Sequence, residues 1–92
     1  MKITFRYTSQ LATAADVSQE VVETETGSSL LDSLRNLATE HGPDFAKFVV
    51  DADGNLVPTL VVAVNGVQVS TEELPSLDAD AEVMLITPMS GG

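Results

Sequence analysis

No cysteine occurs anywhere in the chain, which excludes a disulfide, a thiolate metal site and a thiol nucleophile. Positive charge is almost as scarce: Lys and Arg total 4 against 14 Asp and Glu, for a formal charge of -10. Such a surface repels phosphate backbones and anionic headgroups, so neither nucleic acid nor a membrane surface is expected as a partner. The acidity would speed encounter with a protein bearing a basic docking surface, and it would equally serve solubility or a salt-rich cytoplasm. Only one histidine is present, and nucleophilic hydrolysis normally needs a positioned base, most often His. His41 falls where a helix should end, a place that favours a cation, so an ordinary hydrolase is not expected. There is no basic leader and no long apolar run after Met1, which predicts neither a signal peptide nor a membrane span and leads us to expect a cytoplasmic protein.

What the chain does have is 43% apolar residues over 92 positions, enough for one folded domain and too little for two. Ile3, Phe5 and Tyr7 alternate with polar residues across Lys2 to Thr8, the period of a half-buried strand. Ser9 to Asp16 reads as a loop, and the β-branched residues of Val17 to Thr24 predict a second strand. A helix starts with Ser29 as N-cap and Asp32 in the reciprocal capping position. Leu30, Leu31, Leu34, Leu37 and Ala38 form its apolar stripe, and His41-Gly42-Pro43 ends it, with Gly42 suited to a left-handed cap.

Phe45, Phe48, Val49 and Val50 make a short apolar stretch before a turn at Asp51 to Asn55. Leu60 to Val64 and Val67 to Val69 flank Asn65-Gly66, a strong signal for a type I′ hairpin. Leu74 and Leu77 are apolar plugs in an irregular crossing, and Glu82 to Ile86 is the last strand. The expected class is α+β, a mixed sheet with one long helix packed across one face. Residues 1–87 form the domain and 88–92 a flexible C-terminal tail.

Two acidic clusters invite a metal reading and do not fit one. In Asp51-Ala52-Asp53-Gly54-Asn55 the glycine is fourth, where a calcium loop places it sixth, and the twelfth position is Val62 rather than Glu. Asp78-Ala79-Asp80 likewise reads as a turn. The run Leu60 to Val64 is apolar on both alternating faces. Either one face packs under the helix while the other docks a partner, or the strand is covered on both sides.

Chemistry then falls to Pro88-Met89-Ser90-Gly91-Gly92. With glycine at roughly 7% of residues, two in succession at the end arise by chance in only about 0.5% of chains. An α-carboxyl, with a pKa of about 3.5, is ionised at neutral pH and can attack the α-phosphorus of ATP. Residues without Cβ pass narrow channels, and Met89 to Gly92 can extend roughly 13 Å. We therefore expect Gly92 to be the reacting residue, with Met89, Ser90 and Gly91 threading into a partner's active site.

The segment Ile86-Thr87-Pro88-Met89-Ser90-Gly91-Gly92 resembles the hydrophobic-Pro-Pro-hydrophobic-small-Gly-Gly ending of the ubiquitin-like sulfur carriers. These include molybdopterin synthase small subunits, thiamin- and cysteine-pathway carriers and archaeal modifier proteins. Asp51 to Leu56, Val61 to Gly66 and Asp80 to Val83 resemble the family's acidic turn, central hairpin and approach to the final strand, so the resemblance spans the chain. Thr87 stands where the family often has Pro, Met89 where Val is usual and Asp80 where Gly is.

The resemblance implies a β-grasp fold and a chain with no catalysis and no bound cofactor of its own. An adenylyltransferase of the ubiquitin-activating type, spending its own ATP, would adenylate Gly92, and a sulfur donor would convert the adenylate to a thiocarboxylate. A sulfur-accepting enzyme such as the molybdopterin synthase large subunit would then receive the sulfur, in molybdenum cofactor biosynthesis. Carried as an acyl sulfide, sulfur needs no cysteine. Two alternatives stand beside this: a modifier joined to lysines through Gly92, and a non-covalent β-grasp interaction module.

Overall fold

The computed structural model describes residues 1–87. Five strands and three helices follow in the order β1 (Lys2–Tyr7), α1 (Ser9–Ala15), β2 (Gln19–Glu23), α2 (Leu30–His41), α3 (Pro43–Val49), β3 (Val61–Val64), β4 (Val67–Val69) and β5 (Ala81–Ile86). The sheet order is β2-β1-β5-β3-β4. Strands β1 and β5 run parallel at its centre, with Phe5 beside Val83 and Tyr7 beside Leu85, while the other pairings are antiparallel. The sheet is mixed, as expected.

Alternation decides which side of the sheet is dry. Ile3, Phe5 and Tyr7 of β1, Val62 of β3 and Val83 and Leu85 of β5 point into one core, all at most 5% exposed. The buried residues of the three helices, among them Leu11, Leu30, Leu34, Leu37, Phe45 and Val49, belong to the same cluster. All three helices therefore lie on one face. Each fully buried large apolar side chain contributes about 1.5–3 kcal/mol relative to exposure.

Helix α2 begins as its sequence predicts, with the Ser29 hydroxyl accepting from the Asp32 amide at 3.4 Å. Rather than returning the bond to Ser29, the Asp32 carboxylate lies 3.8 Å from Arg35 Nη1. At the other end Gly42 donates its amide to Ala38. Its φ of 89° and ψ of -176° are not the left-handed helical cap but an extended, mirror-image conformation essentially restricted to glycine. That geometry lets the chain turn directly into α3.

The single long helix is thus one of three. Pro43 does not merely stop α2; at the first position of α3 it starts another helix, where its missing N–H costs nothing. Phe45 and Val49, four apart, are buried. The expected loop at Ser9 to Asp16 is α1, whose alanines are strong helix formers and whose Leu11 and Ala15, also four apart, enter the core. The second strand is shorter than expected, at Gln19–Glu23, and Val17 and Val21 are exposed.

The hairpin between β3 and β4 turns at Asn65 and Gly66 with φ of 50° and 84°, the two positive values a type I′ turn requires. In the crossing segment Leu77 is buried and Leu74 half-buried. The Leu77 carbonyl accepts from the Gly27 amide at 2.8 Å, which ties that segment to the start of α2.

Candidate functional site

The expected reacting residue Gly92 and the threading residues Met89, Ser90 and Gly91 lie outside the described residues, and so does the expected flexible tail at 88–92. What the structure describes is the platform from which they depart. Strand β5 carries the chain through Ile86 to Thr87, which is buried. Its neighbour across the parallel pair is the exit of β1, where the Thr8 hydroxyl donates to the Leu85 carbonyl at 3.3 Å. The last strand thus meets the beginning of α1 where the C-terminal segment starts.

Opposite the helices, the sheet presents its alternate residues. Register places Met84 beside Ala63 and Ile86 beside Val61, and all four are half-buried. They form a compact apolar strip on the uncovered face, on the last residues before Thr87. Around it the face turns polar: Arg6 Nη1 lies 3.6 Å from Glu82 Oε1, with Thr4 between them and the exposed Val21. Among the described residues, Leu60 to Val64 packs one face under the helices and is not covered on both sides. Leu60 and Val62 enter the core while Val61 and Ala63 face away from it.

Met84 and Ile86 belong to this strip and were not singled out by the sequence pattern. The available signal was the same one that marked β3: Val83 to Ile86 is apolar on both alternating faces, more than a strand with one wet side requires.

His41 sits in a second cluster, on the helix side of the sheet. Glu20, opposite Phe5 in register, brings both carboxylate oxygens to 3.1 Å from His41 Nε2. The imidazole lies 4.6 Å from the Phe45 ring centroid and 6.1 Å from that of Tyr7, the latter edge-on. The helix-end position expected for His41 is observed, and the contact with Glu20 adds a clasp between the end of α2 and the edge strand.

Burial first, then the Glu20 and Glu40 carboxylates, push the Tyr7 hydroxyl pKa well above the ordinary phenol range. That hydroxyl has no hydrogen-bond partner among the described residues. Because both Glu20 oxygens are committed to His41, we read the influence of Glu20 on Tyr7 as field rather than a formed bond. A buried, strongly protonated phenol is poorly placed to act as a base.

Of the acidic clusters the first is a turn, and the second is a bend tied to β1. Asp51 Oδ1 accepts from the Asp53 and Asn55 amides at 2.9 and 3.1 Å, and Asp80 Oδ1 from the Lys2 amide at 2.7 Å. Among the described residues no group of three or more His, Asp or Glu side chains is arranged to hold a metal ion. Nor is any of their helices long and apolar enough to cross a membrane.

Among solved structures, SAMP1 from Haloferax volcanii is 26% identical, with each chain fully covered and a TM-score of 0.82. A protein described as molybdopterin converting factor, subunit 1, from Pyrococcus furiosus is also 26% identical, over 97% of this chain and 99% of that one, with a TM-score of 0.70. Urm1 from Trypanosoma brucei, at 18% identity and a TM-score of 0.75 over 99% and 95% of the two chains, shares the fold. No match was found among curated protein sequences. The fold is the β-grasp of these ubiquitin-like proteins. A family model described as the ThiS family matches residues 5–92, and the chain belongs to that family.

Proposed function

We propose that this protein is a sulfur carrier whose working group is the Gly92 carboxylate. The observation that carries the reading is that the family match runs through the last residue and includes the Gly-Gly ending. The carboxylate, ionised at neutral pH, attacks the α-phosphorus of ATP in the active site of a ubiquitin-activating-type adenylyltransferase. Pyrophosphate leaves and an acyl adenylate forms. The terminal sulfur of a donor persulfide then attacks the acyl carbon and AMP leaves, giving an acyl disulfide; a second thiol on the donor cleaves the S–S bond, forming a disulfide with the donor sulfur and releasing the thiocarboxylate. The folded body catalyses none of these steps. It supplies recognition, for which the apolar strip of Val61, Ala63, Met84 and Ile86 is well placed, on the strand that leads into the tail. Molybdopterin synthesis is the recipient pathway we favour, on the likeness to the Pyrococcus furiosus protein, with the synthase large subunit as acceptor.

A second reading has its own support. The likeness to SAMP1, a small archaeal modifier protein, covers both chains completely, and a modifier would use the same adenylate to acylate a lysine. Intact mass spectrometry after incubation with ATP, the cognate activating enzyme and a sulfur source separates the two. Exchange of one terminal oxygen for sulfur at Gly92 supports the carrier, and a branched peptide joining Gly92 to lysine supports the modifier. Neither product, with an activating enzyme shown to be competent, would sink both.

A further inference from the structure

A groove of about 660 Å³ lies between α1 and α3, on the helix side of the molecule and away from the apolar strip. Gln10, Thr13 and Ala14 line one wall, Lys47 and Phe48 the other. The size is within the range of ligand clefts. At one wall the Lys47 ammonium sits 5.2 Å from the centroid of the Phe48 ring, so a cation and an apolar surface are presented together.

Lys47 is one of few cations on an acidic surface. The chain has four basic side chains and a formal charge of -10. Arg6 is paired with Glu82 and Arg35 with Asp32, whereas Lys2 and Lys47 have no ion-pair partner among the described residues, and of these two only Lys47 lines a groove beside an aromatic ring. An anion matched to this site would be small and carried on a short apolar or small-residue segment.

The protein's own end meets that description. Pro88 to Gly92 begins at Thr87, and the strand before it is tied to the start of α1 through the Thr8 hydroxyl and the Leu85 carbonyl. Ser9, the next residue, lines the groove. Five residues reach roughly 16 Å at about 3.3 Å each, more than the 8–10 Å that separates packed helix axes. Met89 offers a flexible apolar side chain for Phe48 and Ala14, and Gly92 ends in a carboxylate.

We propose that the groove between α1 and α3 is a resting site for the protein's own C-terminal segment, with the Gly92 carboxylate held on the Lys47 ammonium. The proposal deepens the carrier reading by regulating access to Gly92: an activating enzyme competes with the groove for the tail. The held state is weak by design, since one exposed ion pair shifts its population by only about two- to fivefold. Asp44, one helical turn before Lys47 and also lining the groove, opposes the carboxylate and keeps the site from trapping it.

The test is the amide spectrum of the nitrogen-15-labelled full chain, compared with a chain lacking residues 88–92 and with K47Q, K47R and D44N. We expect the Gln10, Thr13 and Phe48 amides to shift on deletion. K47Q and added salt should move them part of the way in the same direction, K47R should leave them in place, and D44N should move them in the opposite direction. The heteronuclear Overhauser effect at Gly91 and Gly92 should fall in K47Q. Groove amides that ignore the deletion would overturn the proposal. So would shifts confined to Ala63 and Met84, or shifts that grow with protein concentration, which would place the tail on the open face or in a second copy. The salt titration uses the unaltered chain, so a variant that folds poorly cannot decide the matter. No activating enzyme takes part, so failure here leaves the adenylation reading intact, and failed adenylation leaves this result standing.

Discussion

The two faces of the sheet are written by alternate residues of the same strands, yet they answer to different demands. On the helix face Phe5, Val62, Val83 and Leu85 are completely buried; one residue along each strand, Thr4, Ala63 and Met84 are half-buried beneath no helix. The first set has its packing partners within the chain. The second keeps apolar surface in water next to the departing C-terminus, which is unfavourable for an isolated monomer and useful to one that must dock. Residues a single position apart can thus be divided between stability and recognition.

The comparison breaks most visibly through the covered face. Phe5→Ala should cost about 3–5 kcal/mol, because the lost transfer energy is joined by a cavity that the surrounding strands cannot close; urea unfolding measures it. On the open face, Met84→Gln should change stability by less than about 1 kcal/mol, since it nearly conserves volume at a half-buried site. It should nonetheless raise the KM for adenylation about tenfold, equivalent to about 1.4 kcal/mol, with kcat little changed. An unaltered KM would remove the strip from the docking surface. A third test lies outside the sheet, at the start of α2. Ser29→Ala leaves the Asp32 amide without its cap and should lower stability by about 1 kcal/mol while adenylation stays unchanged.

The covered face was also the more legible of the two in sequence. Strict alternation at Ile3, Phe5 and Tyr7, the three-to-four spacing from Leu30 to Ala38 and the Asn65-Gly66 turn each have one physical solution. Helices α1 and α3 were missed because each is only 7 residues long and buries two apolar positions four apart, too few to show a period. Pro43 also carries two meanings, ending one helix and opening the next, and only the mirror-image turn at Gly42 shows that it does both. For the site, the Gly-Gly ending stands plainly in the sequence, and the chemistry expected of it came from the family resemblance. The strip was half readable: β3 announced an extra apolar face, but the register that sets Met84 beside Ala63 is a long-range pairing that local sequence does not encode. The clasp of His41 on Glu20 is of the same kind, joining residues 21 positions apart.

Beside that clasp, Tyr7 gives the smallest of the predicted effects at neutral pH and the cleanest titration. Tyr7 is the only tyrosine, and its hydroxyl is buried among the described residues without a hydrogen-bond partner. Tyr7→Phe removes a desolvated polar group and should leave the protein unchanged or more stable by no more than about 1 kcal/mol at neutral pH. The pH dependence has a definite sign. Because the folded-state pKa lies above the unfolded value of about 10, the unfolded chain releases its phenol proton first. Stability is insensitive to this group below pH ~10 and falls as pH rises above it, at up to about 1.4 kcal/mol per unit. Urea midpoints at about pH 8 and about pH 11 should therefore diverge less in Tyr7→Phe than in the parent. If parent and variant lose the same stability, Tyr7 is deprotonated as readily in the fold as out of it, and the helix face beside Glu20 is wetter than its burial implies.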